Sequence, residues 1–182
     1  GGDISAMANQ IVARAEIQAQ EYQQLKKEAK KYADAQEVAR RAQEIKEETA
    51  RIRKQALKEA ARRKEEKRVA NRQAVADFAV QFVGNPYVWG GTSLTNGADC
   101  SGFVQAVYAN FGVVMPRTSS AMRSAGTEVS YSEAVPGDVV CYDGHVGIYV
   151  GNGQIVNAID EAHGIGVSSA TYANIITVRR LL

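Results

Sequence analysis

The chain has 182 residues, is 45% hydrophobic and 23% charged, and carries a formal net charge of +2. No apolar run approaches ~18 residues, so no segment reads as a transmembrane helix. Two cysteines are too few for a disulfide framework, and no Cys/His spacing reads as a zinc site.

The averages conceal a division. All three prolines, both cysteines and every glycine except Gly1 and Gly2 lie after Val83. Residues 1–76 hold 18 of the 22 Lys and Arg but 12 of the 20 Asp and Glu, a net charge of +6. The remainder carries −4. A basic part is joined to an acidic part, and each needs its own reading.

Residues 1–72 form the first region. Ala, Glu, Lys, Arg and Gln dominate, and these lose little entropy in a helix. The composition predicts one long helix, or two with a bend. A heptad-like seam runs through Ile4, Ala8, Ile11, Ala15, Gln18, Tyr22, Leu25, Ala29 and Tyr32. It resumes at Val38, Ala42, Ile45, Thr49 and Ile52, one residue earlier in phase. The break near Asp34 and Gln36 resembles a stammer. The expectation is a weak coiled coil that pairs with a second copy, or a hairpin bent at that break. Tyr22 and Tyr32, the region's two aromatics, lie on the seam, and acidic residues interrupt every basic run, so no nucleic-acid partner is expected.

Residues 73–182 form the second region. An amphipathic helix is expected over 73–83, stopped by Gly84-Asn85-Pro86. A glycine-rich loop follows, then a helix over 100–111 and a short helix from Ser119. Beyond Pro136-Gly137 the period changes to two, which predicts strands over 138–142, 145–150, 154–159, 166–168 and 175–181. Helices followed by an antiparallel strand run make an α+β domain.

Asp99 is a good N-cap for the helix over 100–111. Cys100 therefore falls in a first turn, where free N–H groups and the helix dipole favour a thiolate. A nucleophilic cysteine needs a base nearby, and the two histidines of the chain are His145 and His163. His145 opens a strand just after the Asp143-Gly144 turn, where its side chain can reach an exposed site. His163 reads as solvated and Cys141 as a strand thiol in the core or at an edge. Trp89 is expected to pack its loop, and Arg117 to anchor one.

Six strings occur in order: Tyr87-Val88-Trp89-Gly90-Gly91, Asp99-Cys100-Ser101-Gly102-Phe103, Pro116-Arg117-Thr118-Ser119, Pro136-Gly137-Asp138-Val139-Val140, His145-Val146-Gly147-Ile148-Tyr149-Val150-Gly151 and Val156-Asn157-Ala158. Together they make residues 73–182 similar to the NlpC/P60 family of cysteine peptidases. The resemblance implies a papain-like α+β fold and cleavage of peptidoglycan stem peptides between D-γ-glutamate and a diamino acid. By position it implies Cys100 as nucleophile, His145 as base and Asn157 as the orienting third residue, where many members carry His. Tyr87, Asp99 and Ser101 match substrate-binding positions. No metal or cofactor is implied. The substrate lies outside the membrane, so a secreted or envelope location is expected. The start Gly1-Gly2-Asp3 has no export signal, and that signal is taken as trimmed. Two other functions fit less well: a Cys-His amidase or acyltransferase on another amide or ester, and a non-enzymatic envelope assembly protein acting through its coiled coil.

The hairpin joining the strands over 145–150 and 154–159 admits two registers. A two-residue Asn152-Gly153 turn, the strongest local signal, sets His145 opposite Asp160. A three-residue loop sets Gly147 opposite Asn157 and makes His145 and Asn157 diagonal neighbours on one face. The family resemblance selects the second, and Asn157 is then expected to accept a hydrogen bond from one His145 nitrogen.

Overall fold

The computed structural model describes residues 2–182. Helix α1 runs from Gly2 to Val80, 79 residues without a break. Its continuity follows from the absence of Gly and Pro between Asp3 and Val83. Ion pairs one turn apart, such as Glu37 with Arg40 and Arg40 with Glu44, add a few tenths of a kcal/mol each. The bend expected near Asp34 and Gln36 does not form. The phase slip there moves the apolar stripe around the helix and leaves the backbone intact. Residues 73–80 are likewise the last turns of α1 and not a separate helix. Periodicity strengthens there because burial of one face begins there.

Two compact units divide between Ala61 and Arg62. The described residues of the first are all helical, and its seam residues are exposed, among them Ile4, Ile11, Leu25, Tyr32, Val38, Ile45 and Ile52. The second unit contains the end of α1 and everything after it. The sequence-based boundary after residue 72 lies within this second unit. Val75, Ala76 and Ala79 are buried, and Arg72 Nε donates to the Leu182 carbonyl at 2.6 Å.

The rest of the second unit runs β1 (Thr92–Ser93), β2 (Gly97–Ala98), α2 (Cys100–Ala109), α3 (Ser119–Met122), β3 (Thr127–Val129), β4 (Val139–Tyr142), β5 (His145–Gly151), β6 (Gln154–Asp160), β7 (Gly164–Ser169) and β8 (Ile175–Arg180). β1 and β2 pair as a minimal ladder, and the other six strands form one antiparallel sheet in the order β3-β8-β4-β5-β6-β7. The five strands expected from the two-residue period are present. β3 carries no such period, since it is three residues long and sits at the sheet edge. One face of the sheet packs on α2 and the end of α1, with Phe103, Val104 and Val107 against Val139, Ile148 and Val156. The other face has a smaller cluster around Val140, Tyr142, Ile155 and Val178. β4 is therefore buried along its whole length.

The β5–β6 hairpin resolves the register question by using both alternatives. Asn152 and Gly153 have φ of 53° and 69°, the double positive φ of a type I′ turn. Gly151 pairs with Gln154 beside that turn, but Tyr149 pairs with Ile155 and Ile148 with Val156. A bulge between Tyr149 and Gly151 absorbs one residue of β5. The two-residue turn closes the hairpin while the other register holds beyond the bulge. Continued down the ladder, that register sets Gly147 opposite Asn157. A Cβ on Gly147 would lie 2.8 Å from Ile155 Cδ1 and 3.2 Å from Asn157 Cβ, so a larger residue would require Ile155 to shift and would crowd Asn157.

Candidate active site

Cys100 is the first residue of α2, and the start of that helix is fixed by Asp99. The Asp99 carboxylate accepts from the Gly102 N–H at 2.7 Å and the Gly90 N–H at 3.0 Å. Arg117 grips the same carboxylate with two N–H groups, at 3.0 and 2.9 Å, and donates to Ser101 Oγ at 2.8 Å. Burial by itself raises the Asp99 pKa, but the Arg117 bonds and the two backbone N–H donors outweigh it and hold the carboxyl below its ordinary value. Asp99 and Ser101 are both buried. They border the cleft while serving mainly as the anchor between α2 and the 116–118 segment. Arg117 is thus the loop anchor expected from sequence, and its target is the helix that carries Cys100.

A cleft of about 540 Å³ is lined by Tyr87, Trp89, Asp99, Cys100, Ser101, Arg117 and His145, together with Gly90, Thr118, Ser119, Gly144 and Ile159. The cleft thus brings together five of the six sequence-predicted site residues. The sixth, Asn157, is buried in β6 directly behind His145. Its amide Nδ2 lies 3.0 Å from His145 Nε2, and its Oδ1 accepts from Ser168 Oγ at 3.2 Å. The contact with His145 is the expected one. The end of the amide presented to the ring is the donor, where an acceptor was expected.

The electrostatics differ from the expectation of a depressed thiol pKa. Burial pushes the Cys100 thiol up, and the N–H groups of Ser101, Val146 and Cys100 itself oppose that only in part. Burial also lowers the His145 pKa. Partial exclusion from water disfavours both charged forms and so favours the neutral thiol and the neutral imidazole. The Tyr87 hydroxyl is raised by burial and then by the nearby Cys100 and Asp99, so it stays protonated and able to donate.

Trp89 corrects the sequence reading: it is 81% exposed on the cleft wall and does not pack its loop. Cys141 is fully buried in the core, where desolvation pushes its thiol up to about 11. His163 is exposed as expected, and its Nδ1 lies 2.7 Å from Asp160 Oδ1. Sequence reasoning did not single out Ser168, Tyr172 or the Val146 N–H. Tyr172 stands edge-on to the His145 ring with centroids 5.9 Å apart. Residues 168 and 172 carry no local motif. Their sequence signal was limited to the strand alternation that puts Ser168 on the Asn157 face.

Helix-borne cysteine, strand-borne histidine and a polar third residue behind it form one constellation on an α+β frame. The NlpC/P60 family profile matches residues 84–179, more than half of the sequence. The chain belongs to the NlpC/P60 family. Among curated relatives, the probable endopeptidase p60 of Listeria seeligeri is 48% identical over 99 residues, covering 48% of this chain and 19% of its own length. The bifunctional muramidase/DL-endopeptidase CwlT of Bacillus subtilis is 41% identical over 96 residues, covering 48% of this chain and 29% of its own. The chain therefore spans only about a fifth to a third of the length of these relatives. Among solved structures, the peptidoglycan hydrolase RipB from Mycobacterium tuberculosis superposes with a TM-score of 0.55 and 34% identity, covering 62% of this chain and 67% of that one. The NlpC/P60 match begins at residue 84, yet Val75, Ala76 and Ala79 of α1 belong to the same core.

Proposed function

We propose that the chain is a cell-wall hydrolase that cleaves peptidoglycan stem peptides, at the bond between D-γ-glutamate and a diamino acid. Family membership and relatives named as endopeptidases support the class. A relative named as a DL-endopeptidase supports the bond. The observation that carries the reading is the cleft shared by Cys100 and His145, with Asn157 holding the ring from behind.

The chemistry starts from the neutral pair. His145 Nδ1, the nitrogen not engaged by Asn157, takes the thiol proton as Cys100 Sγ attacks the amide carbonyl carbon. The carbonyl oxygen becomes an oxyanion, stabilised by the Cys100 N–H at the helix start and the Tyr87 hydroxyl. The C–N bond then breaks, and the imidazolium returns its proton to the leaving amine. Water, deprotonated by His145, hydrolyses the thioester and frees the thiol. Asp99, Ser101 and Arg117 hold the helix start that carries Cys100 at the cleft, and Trp89 offers an exposed ring to the substrate. The reaction belongs to the envelope or the exterior, where peptidoglycan is found. No helix among the described residues is long and apolar enough to cross a membrane.

Digestion of purified peptidoglycan followed by mass analysis tests the reading. New fragments with free diamino-acid α-amines are expected. Unchanged muropeptides would reject the stem-peptide substrate and leave an amidase or acyltransferase of the same fold.

A further inference from the structure

The productive form of His145 makes a demand that the Asn157 amide meets only with help. To act as base toward Cys100, the neutral ring must carry its proton on Nε2 and leave Nδ1 bare. An Nε2–H needs an acceptor, so Asn157 must present Oδ1 to it. In the structure Asn157 presents Nδ2, the arrangement that suits a ring protonated on Nδ1. A half-turn of the amide about its Cβ–Cγ bond exchanges the two ends without moving either strand. The half-turn aims Nδ2 at Ser168 in place of Oδ1.

We propose that Ser168 is the positioning residue that makes this half-turn possible, because a hydroxyl both donates and accepts. With Oδ1 outward, Ser168 Oγ donates to it, as observed at 3.2 Å. With Nδ2 outward, the same oxygen accepts. Asn157 is 2% exposed, so an amide end left without a partner is penalised. A partner able only to donate would hold the amide in the unproductive orientation. Ser168 thus lets Asn157 present either end to His145 Nε2, whichever ring nitrogen carries the proton before the cycle starts.

The sheet geometry supports the assignment. Asn157 pairs with Gly166 and Ile155 with Ser168 across β6 and β7, so Ser168 is a diagonal neighbour of Asn157 on one face. A cavity of about 300 Å³ is lined by His145, Asn157, Ile159, Ser168 and Tyr172, and gives the amide room to turn. The inference rests on the reading of His145 as base and Cys100 as nucleophile.

Ser168→Thr and Ser168→Val test it. Both side chains are β-branched, suit a strand and have the same shape, so they differ only in the hydroxyl. Ser168→Thr is expected to keep kcat within about twofold of the parent. Ser168→Val is expected to lose about tenfold in kcat with KM unchanged. Nitrogen-15 NMR of His145 is expected to show both neutral tautomers in the parent and in Ser168→Thr, and a changed tautomer ratio in Ser168→Val. Equal activity of the Thr and Val variants, or a His145 tautomer ratio that Ser168→Val leaves unchanged, overturns the role of Ser168. Cys100→Ala separates the two levels. If it is inactive while Thr and Val remain equal, only the Ser168 proposal fails. If it still cleaves peptidoglycan, the underlying reading fails with it.

Discussion

Cys100 and His145 are displaced in opposite directions by the same cause. Burial raises the thiol and lowers the imidazole, so the neutral pair spans a wide pH range. Because His145 stays unprotonated below its ordinary value, kcat/KM is expected to fall only below about pH 6.5. Alkylation of Cys100 by iodoacetamide is expected to accelerate up to and beyond about pH 8.5, the unperturbed thiol value. It should still outpace the fully buried Cys141. An alkylation rate already flat below pH 7 would instead mark a preformed thiolate–imidazolium pair. Cys100→Ser is expected to fold normally and lose at least about 1000-fold in kcat, about 4 kcal/mol, because a serine hydroxyl is a far poorer nucleophile with this base. Asn157→Ala is expected to cost about 10- to 100-fold, since a residue that orients the base tunes it without replacing it. Asp160→Asn should be nearly silent: Asp160 partners His163 on the exposed turn after β6, and Asn157, not Asp160, touches His145.

Two elements position the proposed catalytic pair, Cys100 and His145. The first is the start of α2, where Asp99 caps the helix and Arg117 completes the cap. Arg117→Ala would leave a buried carboxylate without its counter-charge. The expected loss of stability is about 1–3 kcal/mol, on the low side because Arg117 is 37% exposed. The sign with pH follows from the lowered Asp99 pKa. The contribution is present above about pH 4, the unfolded carboxyl value, and is lost as pH falls through the folded one. Thermal melts of parent and variant should therefore differ at pH 7 and converge in acid. The second element is the β5–β6 hairpin. Gly147→Ala would push a methyl into Ile155 and Asn157 and displace the orienting amide. Activity is expected to fall more than stability, which paired melting and kcat measurements would resolve.

At the scale of the whole chain, the end of α1 is part of the catalytic unit and the preceding helix is not. A chain beginning at Arg62 is expected to stay folded and keep kcat/KM within about threefold on a soluble stem-peptide substrate. A tenfold loss would show that residues before it help to build the site. A chain beginning at Gly84, where the family match starts, loses Val75, Ala76 and Ala79 from the core. The cost is on the order of 5 kcal/mol, comparable to the whole stability of a small domain, and circular dichroism should find it unfolded. The seam of residues 4–52 lies exposed along a continuous helix. Continuity removes the hairpin alternative and leaves pairing between two copies as the expectation. Its Ala-rich layers bury little area, so sedimentation should show a weak, concentration-dependent dimer.

Much of the molecule was legible in the order of residues alone. Unbroken helix-forming composition predicted helix over the α1 stretch but left open one helix or two, and strict alternation predicted five strands. The Asp99-Cys100 cap and the strand-opening His145 pointed to a site through local chemistry that a short stretch displays, whereas Asn157 was reached only through the family resemblance. Three things were decided only by tertiary structure. The hairpin register looked like a choice between two exclusive pairings, because nothing local announces a bulge at Val150; contact with the neighbouring strands admits it. The thiol pKa looked depressed because a helix start is visible in sequence, whereas the burial that outweighs it comes from segments far along the chain. Ser168 and Tyr172 carry no motif of their own. They matter only because β7 and the segment after it bring them beside His145 and Asn157, and the sheet order that does so is a property of the whole fold.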